Sequence, residues 1–185
     1  RPRDGHDAGF VRDGARMSPA TPRVALAGNP NTGKTSLFNR LTGAQQRVGN
    51  WPGVTVERKT GHFEHAGLRH ALVDLPGTFS LHVSHEADSL DQQIAQSFVL
   101  SGEPDLLLNI IDASSLERGL YLASQLLDAG LPMVIALNML DVANARGLHI
   151  DTLKLSERLG CPVVPVIANR GEGIEALLDA IESQL

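Results

Sequence analysis

The run Gly28-Asn29-Pro30-Asn31-Thr32-Gly33-Lys34-Thr35, followed by Ser36, matches G-x-x-x-x-G-K-[ST]. That spacing suits phosphate. Glycines at 28 and 33 let the backbone wrap closely around phosphate oxygens, with successive N–H groups and a helix N-terminus pointing inward. Lys34 reaches the β- and γ-phosphates as a point charge, and Thr35 offers its hydroxyl to Mg²⁺. Glycine-rich turns open many helices that bind nothing. Here, however, the run lies between an apolar stretch at 24–27 and a helical one at 35–41, the context the motif requires.

Asn138-Met139-Leu140-Asp141, which follows the apolar stretch 133–137, bears on the choice of base. The polar edge of guanine carries one carbonyl acceptor beside two adjacent N–H donors. The Asp141 carboxylate can accept from both donors, and Asn138 can brace the loop and meet the ring. Adenine would leave that carboxylate desolvated and unpaired, at a cost of roughly 1–3 kcal/mol. An Asn-x-x-Asp helix cap is the ordinary reading of four such residues. Their place at the carboxyl end of a buried strand, about 100 residues after the phosphate loop, favours guanine. An ATPase is the distant alternative.

Asp74-Leu75-Pro76-Gly77 supplies a third element. Asp74 ends a strand and is expected to face Mg²⁺ through a water. Gly77 is expected to give its N–H to the γ-phosphate, a close approach open to a residue without Cβ. Thr55, in a loop running from 43 to 57, is the candidate for a second Mg²⁺ hydroxyl, and a loop of that length suggests a functional or mobile segment.

The elements that must position these residues follow from hydrophobic period. Short apolar runs at 24–27, 71–73, 106–111, 133–137 and 163–166 read as strands, with 62–63 paired to 71–73 in a hairpin turning at Ala66-Gly67. Helical patterns at 35–41, 94–100, 116–127, 153–159 and 174–181 lie between and after them. The near-continuous apolar run 106–111 suits a central parallel strand covered on both faces. Alternation of this kind predicts an α/β fold of the P-loop NTPase type, a mostly parallel central sheet with helices on both faces. Residues 1–20, rich in Arg, Asp, Gly and Pro, read as a disordered leader or an added stretch ahead of Met17, and 21–185 as one G domain.

Composition narrows the function classes. The chain has 185 residues, 42% hydrophobic and 20% charged, with 16 Lys+Arg against 21 Asp+Glu and a net charge of −5. That balance disfavours binding nucleic acid through phosphates, and 4% aromatic residues disfavour stacking on single strands. The single cysteine, Cys161, excludes an intramolecular disulfide and a cysteine-cluster metal site. No run reaches the ~18–20 apolar residues of a membrane helix, so the chain reads as a soluble piece.

Taken together, Gly28-Asn29-Pro30-Asn31, Val48-Gly49-Asn50-Trp51-Pro52-Gly53-Val54-Thr55-Val56-Glu57 and Asp74-Leu75-Pro76-Gly77-Thr78 resemble the cytoplasmic G domain of the FeoB family of bacterial ferrous-iron transport proteins, within the translation-factor branch of small GTPases. The resemblance covers 22–185. It implies a GTP-binding, slowly hydrolysing switch regulating Fe²⁺ transport from the cytoplasmic face of the bacterial inner membrane, with Mg²⁺ and activating K⁺, GTP as substrate and GDP as product. Lys34, Asn31, Thr55 and Gly77 take catalytic roles by this resemblance, and Asn31 matches the asparagine that ligates K⁺. Gly53, Val54, Thr55, Val56 and Glu57 match the first switch. Asp74, Leu75, Pro76 and Gly77 begin the second, which runs to about Ser84. Ile167, Ala168 and Asn169 occupy the fifth nucleotide loop, with backbone near Ala168 touching guanine. Implied partners are the guanine nucleotide, the chain's own helical regulatory segment and transmembrane region, a small accessory iron-transport protein and a homo-oligomer of the intact transporter.

The departures have consequences. Met139 stands where many GTPases have lysine, which implies modest nucleotide affinity and fast release. Thr78 stands where signalling GTPases place a water-orienting glutamine, which implies slow hydrolysis. Two alternatives remain at this level: a ribosome-assembly or RNA-modification GTPase of the same class, and a nucleotide-sensing module with negligible turnover. His62, His65, His70, His82 and His85 read as exposed rather than as an iron site, and Cys161 as a buried small residue. The leucines at 116–127 read as core. Trp51 reads either as a hydrophobic anchor or as a side chain that swings with the nucleotide.

Overall fold

A computed structural model describes residues 21–77 and 90–185. The expected disordered leader and the second switch beyond Gly77, with His82 and His85, lie outside the described residues. In chain order the elements are β1 (Arg23–Gly28), α1 (Lys34–Thr42), β2 (Gln46–Asn50), β3 (Glu57–His65), β4 (Leu68–Asp74), α2 (Leu90–Leu100), β5 (Leu106–Asp112), a 3₁₀ turn (Ala113–Ser115), α3 (Leu116–Leu127), β6 (Met133–Asn138), α4 (Leu140–Ala145), α5 (Thr152–Leu159), β7 (Val163–Val166) and α6 (Ile174–Glu182). The strands form one sheet in the order β2-β3-β4-β1-β5-β6-β7. Pairs β4-β1, β1-β5, β5-β6 and β6-β7 are parallel, whereas β2-β3 and β3-β4 are antiparallel.

Strand alternation divides the core in two. Ala25, Ala27, Leu107, Ile111, Met133, Ile135 and Leu137 face one side, with Ala95 and Phe98 of α2 and Leu122 and Leu126 of α3. Val24, Leu26, Leu106, Leu108, Ile110, Val134 and Ala136 face the other, with Leu37 and Phe38 of α1 and Leu177 and Ile181 of α6. Burial on both faces is why β5 and β6 read as continuous apolar runs instead of alternating ones.

The expected loop from 43 to 57 needs correction. Residues 46–50 form the edge strand β2, paired antiparallel with β3 from Gln46↔Gly61 to Asn50↔Glu57. The connection closes on itself, with Trp51 N–H donating to the Val56 carbonyl at 2.9 Å. β2 is mostly exposed and polar, so its pairing is a matter of backbone hydrogen bonds and leaves no apolar signature. The hairpin expected at Ala66-Gly67 is present, with both residues at positive φ, +50° and +79°, as a type I′ turn requires.

This topology gathers the candidate loops at one end of the sheet. β1 ends at Gly28, β4 at Asp74 and β6 at Asn138 on the same side, and the β7 end leads into 167–169. Antiparallel β3 begins on that side too, because Lys59 pairs with Asp74. Open parallel sheets place ligands outside the carboxyl ends of their strands.

Candidate nucleotide site

Gly28, Asn29, Pro30, Asn31, Thr32 and Gly33 connect β1 to α1, and Lys34, Thr35 and Ser36 form the first turn of that helix. Thr32 is buried and its hydroxyl donates to the Asn29 carbonyl at 2.9 Å, which tightens the loop. Gly33 is required twice over. Its φ of +91° is a left-handed conformation, and a Cβ there would collide with the Asn138 amide. Asn31 also sits at positive φ, +64°, a conformation asparagine tolerates better than most residues, and its amide lies at the exposed tip of the loop. The Asn29 amide donates to the Arg118 carbonyl at 3.2 Å, fastening the loop to α3, and a 150 Å³ cleft lined by 29–32, Asp112, Ser115, Arg118 and Gly119 adjoins it.

Lys34 and Asp74 meet directly. The Lys34 ammonium donates to Asp74 Oδ1 at 2.7 Å and to the Leu75 carbonyl, and both charged side chains are largely shielded from water. Leu75 is buried, with its N–H donating to the Leu26 carbonyl at 2.9 Å, and Pro76 and Gly77 lead out at the surface. Among the described residues there is room at Gly77: an added Cβ would lie 4.0 Å from Lys34 and Pro30.

Asn138 joins the 28–33 loop to the turn at 167–169. Its Nδ2 donates to the Thr32 carbonyl at 2.9 Å and its Oδ1 accepts from the Ala168 N–H at 3.1 Å, with the side chain 4% exposed. Met139 stands at φ +63° as the cap of α4, and Leu140 and Asp141 begin that helix. Asp141 is half-exposed and lies 3.6 Å from the Arg170 guanidinium, which is also 3.9 Å from Glu172. An exposed pair of this length contributes little and yields readily to another partner. Ile167, Ala168 and Asn169 form a tight turn closed by Ile167 N–H to the Glu172 carbonyl at 3.0 Å and Gly171 N–H to the Ile167 carbonyl at 2.9 Å.

Gly53, Val54, Thr55, Val56 and Glu57 lie on the β2–β3 connection at the same end of the sheet. Val54 and Val56 pack on the α2 side of the core, which leaves Thr55 between them exposed. Trp51 is 5% exposed, packed on the body of the domain as both readings of it expect. Its ring lies edge-on to Phe98 of α2 at 5.2 Å, with the Arg58 guanidinium 4.5 Å from its centroid.

The expectation of exposed histidines needs correction, because His62 and His65 are half-buried and His70 is buried. His70 is 1% exposed, stacked on Phe63 at 4.9 Å and 3.0 Å from Glu182, and His65 Nε2 lies 2.8 Å from Asp179 Oδ1. His65 hydrogen-bonds the β3–β4 hairpin to α6, and His70 packs against the same helix. The inward side of a two-stranded ribbon buries what the sequence leaves looking exposed. Burial, with Arg69 and Arg47 nearby, holds His62 below the usual imidazole range. Among the described residues no group of three or more His, Cys, Asp or Glu could hold a metal ion. Cys161 is buried, and burial pushes its thiol up to about 11. A cavity of about 940 Å³ near Tyr121 and His149 is lined by none of the candidate residues.

The family model for ferrous iron transport protein B matches residues 22–181. The chain belongs to the FeoB family. It is 59% identical over 159 residues to the Fe(2+) transporter FeoB of Salmonella typhimurium strain LT2, covering 86% of this chain and 21% of that protein. It thus spans about a fifth of the length of the curated relatives it matches. Among solved structures it resembles the cytosolic domain of L. pneumophila FeoB, with a TM-score of 0.84, 52% identity and coverage of 88% of this chain and 69% of that one. It also resembles a mutant NFeoB of S. thermophilus bound to GDP, with a TM-score of 0.82, 44% identity and coverage of 89% and 63%. The FeoB G domain is a P-loop GTPase fold, as the alternation of strands and helices predicts. Membership sets aside the ribosome-assembly and RNA-modification alternative. No helix among the described residues is long and apolar enough to cross a membrane.

Sequence reasoning missed Arg40, in the last turn of α1, whose guanidinium donates to the Asn169 carbonyl at 2.9 Å and the Ala168 carbonyl at 3.4 Å. An arginine on an exposed helix face carries no signal of a partner 128 residues away.

Proposed function

We propose that this chain is the guanine-nucleotide switch of a longer ferrous-iron transporter, binding GTP and cleaving it slowly to GDP and phosphate. The observation that supports this best is the Asn138 amide spanning the phosphate loop and the loop at 168, with Asp141 three residues on. A site for one molecule with phosphate at one end and a purine at the other needs that brace. The neighbour bound to GDP supports the same reading.

In this account the backbone amides of 29–35 and the α1 N-terminus wrap the phosphates, with Lys34 on the β- and γ-groups. For that, the Lys34–Asp74 pair must open. Thr35 and Thr55 hydroxyls and the Asp74 carboxylate are hard oxygen donors suited to Mg²⁺, Asp74 acting through a water, and the exposed Asn31 amide oxygen suits K⁺. Bound there, these cations would neutralise charge developing on the phosphates during transfer. Gly77 N–H meets the γ-phosphate. Water attacks the γ-phosphorus, the bond to the β–γ bridging oxygen breaks, and the water's proton passes to the released phosphate. With Thr78 following Gly77 no glutamine orients that water, so turnover is slow. Gly53, Val54, Thr55, Val56 and Glu57 act as the first switch. Leu75 and Pro76 carry the start of the second, and Ile167, Ala168 and Asn169 line the base beside Met139 and Leu140. Met139, lacking the lysine stem and charge, gives modest affinity and fast release.

In the longer protein this domain acts at the cytoplasmic face of the bacterial inner membrane. It signals through a helical regulatory segment to a transmembrane region that moves Fe²⁺, in a homo-oligomer and with a small accessory iron-transport protein. Single-turnover GTP cleavage tests the enzymatic part. The rate should rise when K⁺ replaces Na⁺, and Asn31→Ala should abolish the rise. Full stimulation in that variant would contradict the role given to Asn31, and cleavage indistinguishable from buffer would leave only a nucleotide sensor.

A further inference from the structure

Asp141 can satisfy only the two N–H donors of the guanine edge, because a carboxylate accepts and does not donate. The adjacent purine carbonyl needs a donor from elsewhere, and in the turn at 167–169 the Ile167 and Ala168 N–H groups already have partners, which leaves that of Asn169. Such a donor helps only if its peptide plane is fixed before the base arrives.

Arg40 fixes it. From the last turn of α1 its Nη2 donates to the Asn169 carbonyl at 2.9 Å and its Nε to the Ala168 carbonyl at 3.4 Å. In a planar trans peptide the C=O and the following N–H point in opposite directions. Holding the Ala168 carbonyl from the α1 side therefore turns the Asn169 N–H away from that helix. The Ala168 N–H is held independently by Asn138 Oδ1 at 3.1 Å, so the peptides on both sides of Ala168 are fixed from different elements. The local backbone accommodates the arginine. Gly171 has φ +77°, and a Cβ there would lie 3.3 Å from the Arg40 guanidinium carbon, so a side chain at 171 would press on the guanidinium. α1 begins at Lys34 against the phosphates and ends on the base loop through Arg40, linking both ends of the nucleotide by one rigid rod.

We propose that Arg40 is a positioning residue for guanine, fixing the Ala168–Asn169 peptide so that the loop reads the purine carbonyl and retards nucleotide release. This rests on the guanine-binding reading above. The test compares three diphosphates by calorimetry and stopped-flow release: GDP, IDP, which lacks the exocyclic amine, and 2-aminopurine riboside diphosphate, which lacks the carbonyl and with it the N1 proton, a loss common to wild type and variant. Arg40→Ala should release GDP about three- to tenfold faster, the range expected for exposed charge-assisted hydrogen bonds. Its preference for GDP over the 2-aminopurine nucleotide should narrow by the same factor, while its preference for GDP over IDP, set by Asp141, stays unchanged. Arg40→Lys keeps the charge without the planar fork and should recover thermal stability but not the carbonyl preference. A variant whose two preferences fall together with its melting temperature, or whose release matches the wild type, would overturn the proposal. Wild-type protein that binds GDP no better than ADP would overturn the guanine reading itself, and this proposal with it.

Discussion

The base side of the crevice and the first-switch side are held by different forces. At the base side, hydrogen bonds run between separate elements: Asn138 to Thr32 and Ala168, and Arg40 to Ala168 and Asn169. At the switch side, Trp51, Val54 and Val56 sit on the α2 face of the core by packing, and Thr55 stands exposed between two anchored valines. Hydrogen bonds fix direction, whereas apolar packing tolerates sliding and repacking. The difference suits the proposed division of labour: a pocket that recognises a base is built before the ligand comes, and a segment that reports the γ-phosphate must be able to leave its seat.

The sharpest way to break this contrast is Asn138→Ala. It removes two buried bonds and strands the Thr32 carbonyl and Ala168 N–H, so roughly 2–5 kcal/mol of stability should be lost, read by denaturant unfolding. GDP release should quicken at least tenfold. A milder probe lies across the crevice. Trp51→Ala should destabilise by about 2–4 kcal/mol while changing GDP affinity less than threefold, because the ring fills space without touching the base side. Trp51→Phe should cost under about 1 kcal/mol, since the buried indole N–H has no acceptor among the described residues to lose. The smallest effect belongs to neither region. With its thiol raised to about 11 from 9.0, the folded protein holds the Cys161 proton more tightly than the unfolded chain. That contribution is complete below pH 9 and is lost as pH rises toward 11. Cys161→Ala should flatten this alkaline limb, and the native thiol should react slowly with iodoacetamide at pH 8.

What the sequence made legible follows the same contrast. β5 and β6 are buried on both faces, so their apolar runs are visible without any partner. The phosphate loop is visible because its glycines answer a backbone demand, and Gly33 shows that demand directly against Asn138. β2 is hidden because an edge strand of Gln46, Arg47, Val48, Gly49 and Asn50 pairs through backbone alone. α4 is hidden because its six residues begin inside the base motif. Arg40 and His70 are hidden for a shared reason: a polar side chain's partner is a matter of tertiary geometry, here a loop 128 residues on and a helix across the hairpin.

The measurement that bears most directly on the central claim is calorimetry of GDP and XDP against wild-type protein and Asp141→Asn, with Mg²⁺ present. Xanthine carries a carbonyl where guanine carries its exocyclic amine, so an amide at 141 can donate where the carboxylate could only accept. Wild type should prefer GDP, and Asp141→Asn should lose GDP affinity by roughly 10- to 100-fold while gaining affinity for XDP. Unchanged GDP binding by the variant, or no preference between the two nucleotides in the wild type, would contradict the account.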